Sequence, residues 1–178
     1  MLRGGIYRVK KLLSIIGLTL LVAVLVTGCS GAAITNEYEK AMKAAETYKL
    51  KEFTINEIPE TPLTKKAIIQ RIEEMEPFFA DSFEEKPVNM SSILLALEAA
   101  KTQQATLKPE NMNFTVYQEE KNYVDLDYTM DLLVEKKSGD SERAPLEGRL
   151  TLVNKDGKWL IQADRIDLPA FLKLIPQK

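Results

Sequence analysis

The sequence predicts an α+β domain, with three N-terminal helices packed on a four-stranded antiparallel meander. Three observations predict it. Apolar residues recur at helical spacing as far as Ala100, and beyond Lys108-Pro109-Glu110-Asn111 they alternate with polar ones. Turn signals then punctuate the second half, ending in Asn154-Lys155-Asp156-Gly157. There is no internal repeat, and the two periods occupy separate halves of the chain, which favours segregated layers over alternating βα units.

Each element has a local reason. Asn36 with Glu39 forms a capping-box-like start, after which Tyr38, Ala41, Ala45 and Tyr48 share one helical face. The stretch from Phe53 to Thr61 breaks that helix. Thr61 is the expected cap of a second helix, with Pro62 in its first turn and Ile68, Ile72, Met75 and Phe79 along its apolar side; Pro77 should kink or restart it. Asn89 is the expected cap of a third, whose apolar side is Met90, Ile93, Leu94, Leu97 and Ala100. The first strand is expected to begin at Phe114 and Val116, and to turn at Glu119-Glu120-Lys121-Asn122. In the second, Val124, Leu126, Tyr128, Met130, Leu132 and Val134 alternate with Asp125, Asp127, Thr129, Asp131 and Leu133, giving an inner and a solvated outer face. After a loop from Lys136 to Glu142, a third strand aligns Leu146, Gly148, Leu150 and Leu152. Asp156-Gly157 then turns the chain into a fourth, Lys158 to Ile166, and Leu168–Leu172 reads as a last helical turn.

Two segments resemble the nuclear transport factor 2-like superfamily: Met75-Glu-Pro-Phe-Phe-Ala-Asp-Ser-Phe83, and the hairpin Leu150-Thr-Leu-Val-Asn-Lys-Asp-Gly-Lys-Trp-Leu-Ile161. The resemblance implies a cone of curved sheet wrapped on helices over about residues 35 to 170, with Trp159 lying across the sheet–helix interface. A cystatin-like sheet with fewer helices is the structural competitor.

The first eleven residues carry Arg3, Arg8, Lys10 and Lys11 and no acid, and Leu12 to Val26 is an uncharged aliphatic run. This is the layout of a bacterial export signal. As a helix the run would reach roughly 22 Å, short of a hydrocarbon core of roughly 30 Å, so a permanent span is the weaker reading. It ends in Val26-Thr27-Gly28-Cys29, which resembles the lipobox of bacterial lipoproteins. That resemblance implies cleavage before Cys29, diacylglycerol on its thiol, and a protein held on the outer face of the cell membrane, where two acyl chains anchor stably. Residues 1–28 are then a removed signal peptide, 29–34 a short tether containing Ser30-Gly31-Ala32-Ala33, and 35–178 a single domain. The Lys- and Glu-rich composition leans toward a single-membrane host.

Composition excludes much chemistry. With no histidine there is no serine–histidine or cysteine–histidine machinery and no imidazole zinc site, and one cysteine permits no intramolecular disulfide. Loss of the four signal cations leaves 20 Lys plus Arg against 26 Asp plus Glu, a net charge of −6 that disfavours nucleic acid. Asp125, Asp127 and Asp131 share a strand face, but alternate residues sit about 7 Å apart, wide for one cation, and basic partners such as Arg149 on a neighbouring strand are the preferred reading. On the inner face Leu126, Tyr128, Met130 and Trp159 either line a pocket for a small apolar ligand or fill it. Some members of the resembling superfamily, such as ketosteroid isomerase, set an acid and a tyrosine–acid pair in an apolar cavity. Here the aspartates of the clearest strand alternate away from Tyr128, which argues against such catalysis. Asn89-Met90-Ser91 and Asn113-Phe114-Thr115 match the glycosylation sequon by coincidence in such a chain. The expected function is a non-enzymatic binding or assembly module of the cell envelope with a protein partner and no cofactor; a carrier or sensor of an apolar ligand is the alternative.

Overall fold

The computed structural model describes residues 29–60, 63–81 and 87–175. The basic segment, the apolar run, Val26, Thr27, Gly28, Thr61 and Pro62 lie outside the described residues. The chain divides into two compact units, one ending at Glu39 and one running from Lys40 onward. Within the first, helix is already present from Cys29, where α1 (Cys29–Phe53) begins. The flexible tether expected at 29–34 is therefore helical, consistent with Ala32 and Ala33 being strong helix formers.

In the second unit the buried positions of α1 are Ala41, Ala45, Tyr48, Lys49, Glu52 and Phe53, one continuous face at spacings of three and four. The helix stops at Phe53, and Ile55 exchanges backbone hydrogen bonds of 2.9 and 3.0 Å with Leu107. Helix α2 (Lys65–Met75) is capped by Thr64, not Thr61: Thr64 is extended, and its hydroxyl accepts from the Ala67 N–H at 3.2 Å. Pro77 sits in a 3-10 turn, Glu76–Phe78, that ends the helix as its ring requires. The Ala80 N–H donates to the Ile161 carbonyl at 2.9 Å and fixes this turn against the sheet. Helix α3 (Pro87–Gln103) starts two residues before Asn89, because proline suits the first turn, where no intrahelical donor is needed.

The strands β1 (Ala105–Glu120), β2 (Tyr123–Lys136), β3 (Ser141–Lys155) and β4 (Lys158–Ile166) form one antiparallel sheet in the order β1-β2-β3-β4. β1 begins nine residues earlier than expected. Pro109 is accommodated because β1 lies at the sheet edge, and a bulge between Glu110 and Asn113, with Asn111 at φ 51°, absorbs the break that the sequence signalled. At the β3–β4 turn Asp156 (φ 54°) and Gly157 (φ 83°) are both left-handed, as a two-residue hairpin turn requires. The expected inner residues of β2, Val124 to Val134 in alternation, are all buried. Helix α4 (Leu168–Leu172) follows β4; its Phe171 is fully buried, with its ring 5.8 Å from that of Phe53.

Candidate functional site

The concentration of chemistry in this molecule lies between α1 and the inner face of the sheet. Lys49 projects from the buried face of α1, and its Nζ donates to Asp164 Oδ2 at 2.6 Å and to Glu52 Oε2 at 2.7 Å. The Tyr48 hydroxyl donates to the same Asp164 oxygen at 3.0 Å, and the Tyr128 hydroxyl reaches Asp164 Oδ1 at 3.5 Å. Nζ also lies 4.4 Å from the ring centre of Tyr128, 5.1 Å from that of Phe53 and 5.3 Å from that of Tyr48, so the ammonium sits among three aromatic rings. None of Tyr48, Lys49, Glu52, Tyr128 and Asp164 is more than 2% exposed.

Backbone geometry explains how an aspartate enters this interior. Directly opposed residues share a face, and β4 pairs Ile161 with Leu152 but Asp164 with Leu150. Both leucines point inward, so Ile161 and Asp164 do too, although they are three positions apart, an odd spacing that regular alternation would put on opposite faces. An irregularity at this point in the β3–β4 ladder inserts the extra residue and reverses the alternation. Gly148 makes room for the neighbouring tyrosine: it is paired with Tyr128, and a Cβ at this position would lie 2.6 Å from the Tyr128 hydroxyl.

Electrostatically the cluster holds two carboxyl groups and one ammonium. Burial, then the adjacent Asp164 carboxylate, push the Glu52 carboxyl up to about 8, against the pull of Lys49. For Lys49, burial opposes the charged form, but Asp164 and Glu52 overcome it and hold the ammonium above its ordinary range. Burial and then Asp164 raise both tyrosine hydroxyls, which stay neutral. Glu52 Oε1 has no hydrogen-bond partner among the described residues. Arg71 of α2 closes the site from the side, donating to the carbonyls of Lys51 (2.8 Å) and Glu52 at the end of α1.

Against this geometry the sequence-predicted positions separate. Leu126 is packed in the core, Met130 borders a surface depression near Pro145 and Ala170, and Tyr128 borders another with Arg149 and Arg165. Trp159 lines a groove of about 460 Å³ with Lys40, Lys43, Pro77, Phe78 and Lys158. Of the four, Tyr128 alone reaches the buried cluster. The outer-face acids have separate partners. Asp127 takes Arg149 at 2.6 and 3.1 Å, as expected, and Asp131 accepts from Asn111 at 2.8 Å. Asp125 departs from the expected solvated face: it is buried, and accepts from Thr151 at 2.6 Å and Tyr123 at 2.7 Å. Among the described residues no group of three or more acids, cysteines or histidines could hold a metal ion, and no helix is long and apolar enough to cross a membrane.

Sequence reasoning missed Lys49, Glu52 and Asp164. A signal for the first two was present, since both fall on the stripe defined by Ala41, Ala45 and Tyr48, where a charge needs a buried partner. Asp164 gave none, because simple alternation from Ile161 places it outward.

No family model matches the chain, and no curated protein matches it in sequence. Among solved structures it is similar to an IcmL-like type IV secretion system protein from Legionella pneumophila, at 10% identity and a TM-score of 0.49, over 69% of this chain and 86% of that one. It is also similar to Aln2 from a Streptomyces species, at 13% identity and a TM-score of 0.48, over 78% and 95% of the two chains. A periplasmic fragment of TraM is similar at 13% identity and a TM-score of 0.45, over 72% and 96%.

Proposed function

We propose that this protein is a lipid-anchored, extracytoplasmic binding module of the bacterial cell envelope, built on a nuclear transport factor 2-like domain and working through its surface rather than through an internal active site. The observation that carries this reading is the buried ion-paired cluster between α1 and the sheet, whose polar groups bond to one another. In a catalytic or carrier version of such a fold the acid and the tyrosines face an open apolar cavity. Here Asp164 and Tyr48 are hydrogen-bonded to each other and Asp164 to Lys49, and among the described residues no member of the cluster is more than 2% exposed, Tyr128 alone bordering a surface depression. Val26-Thr27-Gly28-Cys29 supplies the anchor in this reading, and the negative charge of the mature chain directs it toward protein surfaces rather than nucleic acid.

The test is localisation. In cells fed a labelled fatty acid, the wild-type protein should take up label and fractionate with membranes, whereas Cys29→Ala should stay unlabelled and lose membrane retention. Unchanged retention of the unlabelled variant would overturn the anchor. In-membrane crosslinking should then yield a discrete protein adduct, and native mass spectrometry showing a stoichiometric small molecule instead would replace binding of a protein by carriage of a ligand.

A further inference from the structure

We propose that the buried Lys49–Asp164–Glu52 cluster is the site of an autocatalytic intramolecular isopeptide bond joining the Lys49 side chain on α1 to the Asp164 side chain on β4. The inference is independent of the membrane anchor and of any partner.

Four observations meet here. The nucleophile and the acyl group are already in contact: Nζ lies 2.6 Å from Asp164 Oδ2, which puts Cγ about 3 to 3.5 Å from Nζ, the spacing of a near-attack geometry. A second carboxyl, Glu52, touches the same nitrogen at 2.7 Å and has one oxygen free of hydrogen bonds among the described residues. Three aromatic rings and complete burial exclude the water that would favour the separate charges. The Tyr48 and Tyr128 hydroxyls stand on the two Asp164 oxygens, where negative charge develops as its carbon becomes tetrahedral.

The reaction balances within the cluster. With Glu52 protonated, the ammonium and the Asp164 carboxylate form a neutral pair, and a proton moving along their hydrogen bond gives an amine and a carboxylic acid without net charge entering or leaving. The Nζ lone pair attacks Cγ and forms the N–C bond. Glu52 delivers its proton to the departing hydroxyl and takes one from the attacking nitrogen. The Cγ–O bond breaks, one water leaves, and Glu52 ends as the acid it began as. No oxidant, metal or co-substrate takes part. The product ties the first helix of the domain to its last strand, across 115 positions of sequence.

The experiment is peptide mapping of the full-length folded protein. Trypsin should release residues 44–51 joined to residues 159–165, lighter than the two separate peptides by one water, with cleavage after Lys49 blocked. Glu52→Gln should abolish the joined peptide in protein that still melts cooperatively. Asp164→Asn should give the same joined product by loss of ammonia, and Lys49→Arg should give none. Recovery of a linear peptide ending at Lys49 from wild-type protein after prolonged incubation would overturn the proposal. Full joining in Glu52→Gln would overturn the role given to Glu52.

Discussion

While the Lys49 and Asp164 side chains are unjoined, as intact mass verifies before each measurement, Glu52 gives the domain a pH dependence whose sign can be worked out. Its carboxyl is raised from the ordinary 4.5 to about 8 in the folded protein by burial and by Asp164. The folded state therefore binds the Glu52 proton more tightly than the unfolded chain. The resulting stability is fully present below about 4.5, declines as pH rises toward 8, and is gone above it. At about 1.4 kcal/mol for each pH unit of that window, the ceiling is of the order of 5 kcal/mol, the attraction of Lys49 being already included in the raised value, so a fall of a few kcal/mol is expected between about pH 5 and pH 8. The groups facing Glu52 are Lys49 and Tyr48 from its own helix, Tyr128 from β2, Asp164 from β4 and Arg71 from α2. Carboxyls with lowered values, such as Glu74 beside Lys51 and Gln70, contribute with the opposite sign and below this window. Glutamine mimics the protonated acid in shape and cannot titrate, so Glu52→Gln should flatten the profile. Urea unfolding of both proteins across the range reads the effect as a slope, which a change in overall stability does not mimic. Parallel profiles for wild type and Glu52→Gln, or wild-type stability that rises from pH 5 to 8, would refute the reasoning.

Other outcomes follow from the same packing. Relative to wild-type protein whose Lys49 and Asp164 are still unjoined, Lys49→Met should destabilise the fold by about 3–5 kcal/mol in denaturant titration, because two carboxyls are left buried without their cation; a loss under about 1 kcal/mol would contradict the cluster as described. Gly148→Ala places a methyl against the Arg165 carbonyl and the Tyr128 hydroxyl and should cost about 1–3 kcal/mol in denaturant titration, little of it recovered in the double variant with Tyr128→Phe, because the contact with the Arg165 backbone remains. Gly157→Ala should lower stability by about 1–2 kcal/mol, since φ 83° is strained for any side chain even though the space around it is open. Arg71→Met should speed hydrogen exchange at the last turn of α1, whose carbonyls it caps, while leaving the amides of β2 and β3 slow.

Most of the architecture was legible in the sequence because it rests on local periodicity and turn chemistry. The inner face of strand β2 could be read from its alternation, though not the burial of Asp125, and the β3–β4 hairpin from Asp156-Gly157, since a backbone with both turn residues at positive φ admits few sequences. The readings that failed were at boundaries. Thr64 replaced Thr61 as cap, Pro87 preceded Asn89, and β1 ran through Pro109. In each case more than one residue had suitable chemistry, and tertiary contacts chose between them. The fate of β1 shows this well, since only the edge position of the strand and the bulge at Asn111 make a proline within it harmless.

The candidate site was far less legible. The sequence by itself determined the two-layer class and the exclusion of histidine and paired-cysteine chemistry. It could also have warned that Lys49 and Glu52 lie on an apolar helical stripe. Only the tertiary structure decided what they meet. Asp164 reaches them because one irregularity in the β3–β4 ladder reverses the inward phase of β4, and Tyr128 joins because Gly148 leaves room for its ring. Such a phase change leaves almost no trace in composition or spacing, because it belongs to the pairing of two strands rather than to either strand alone.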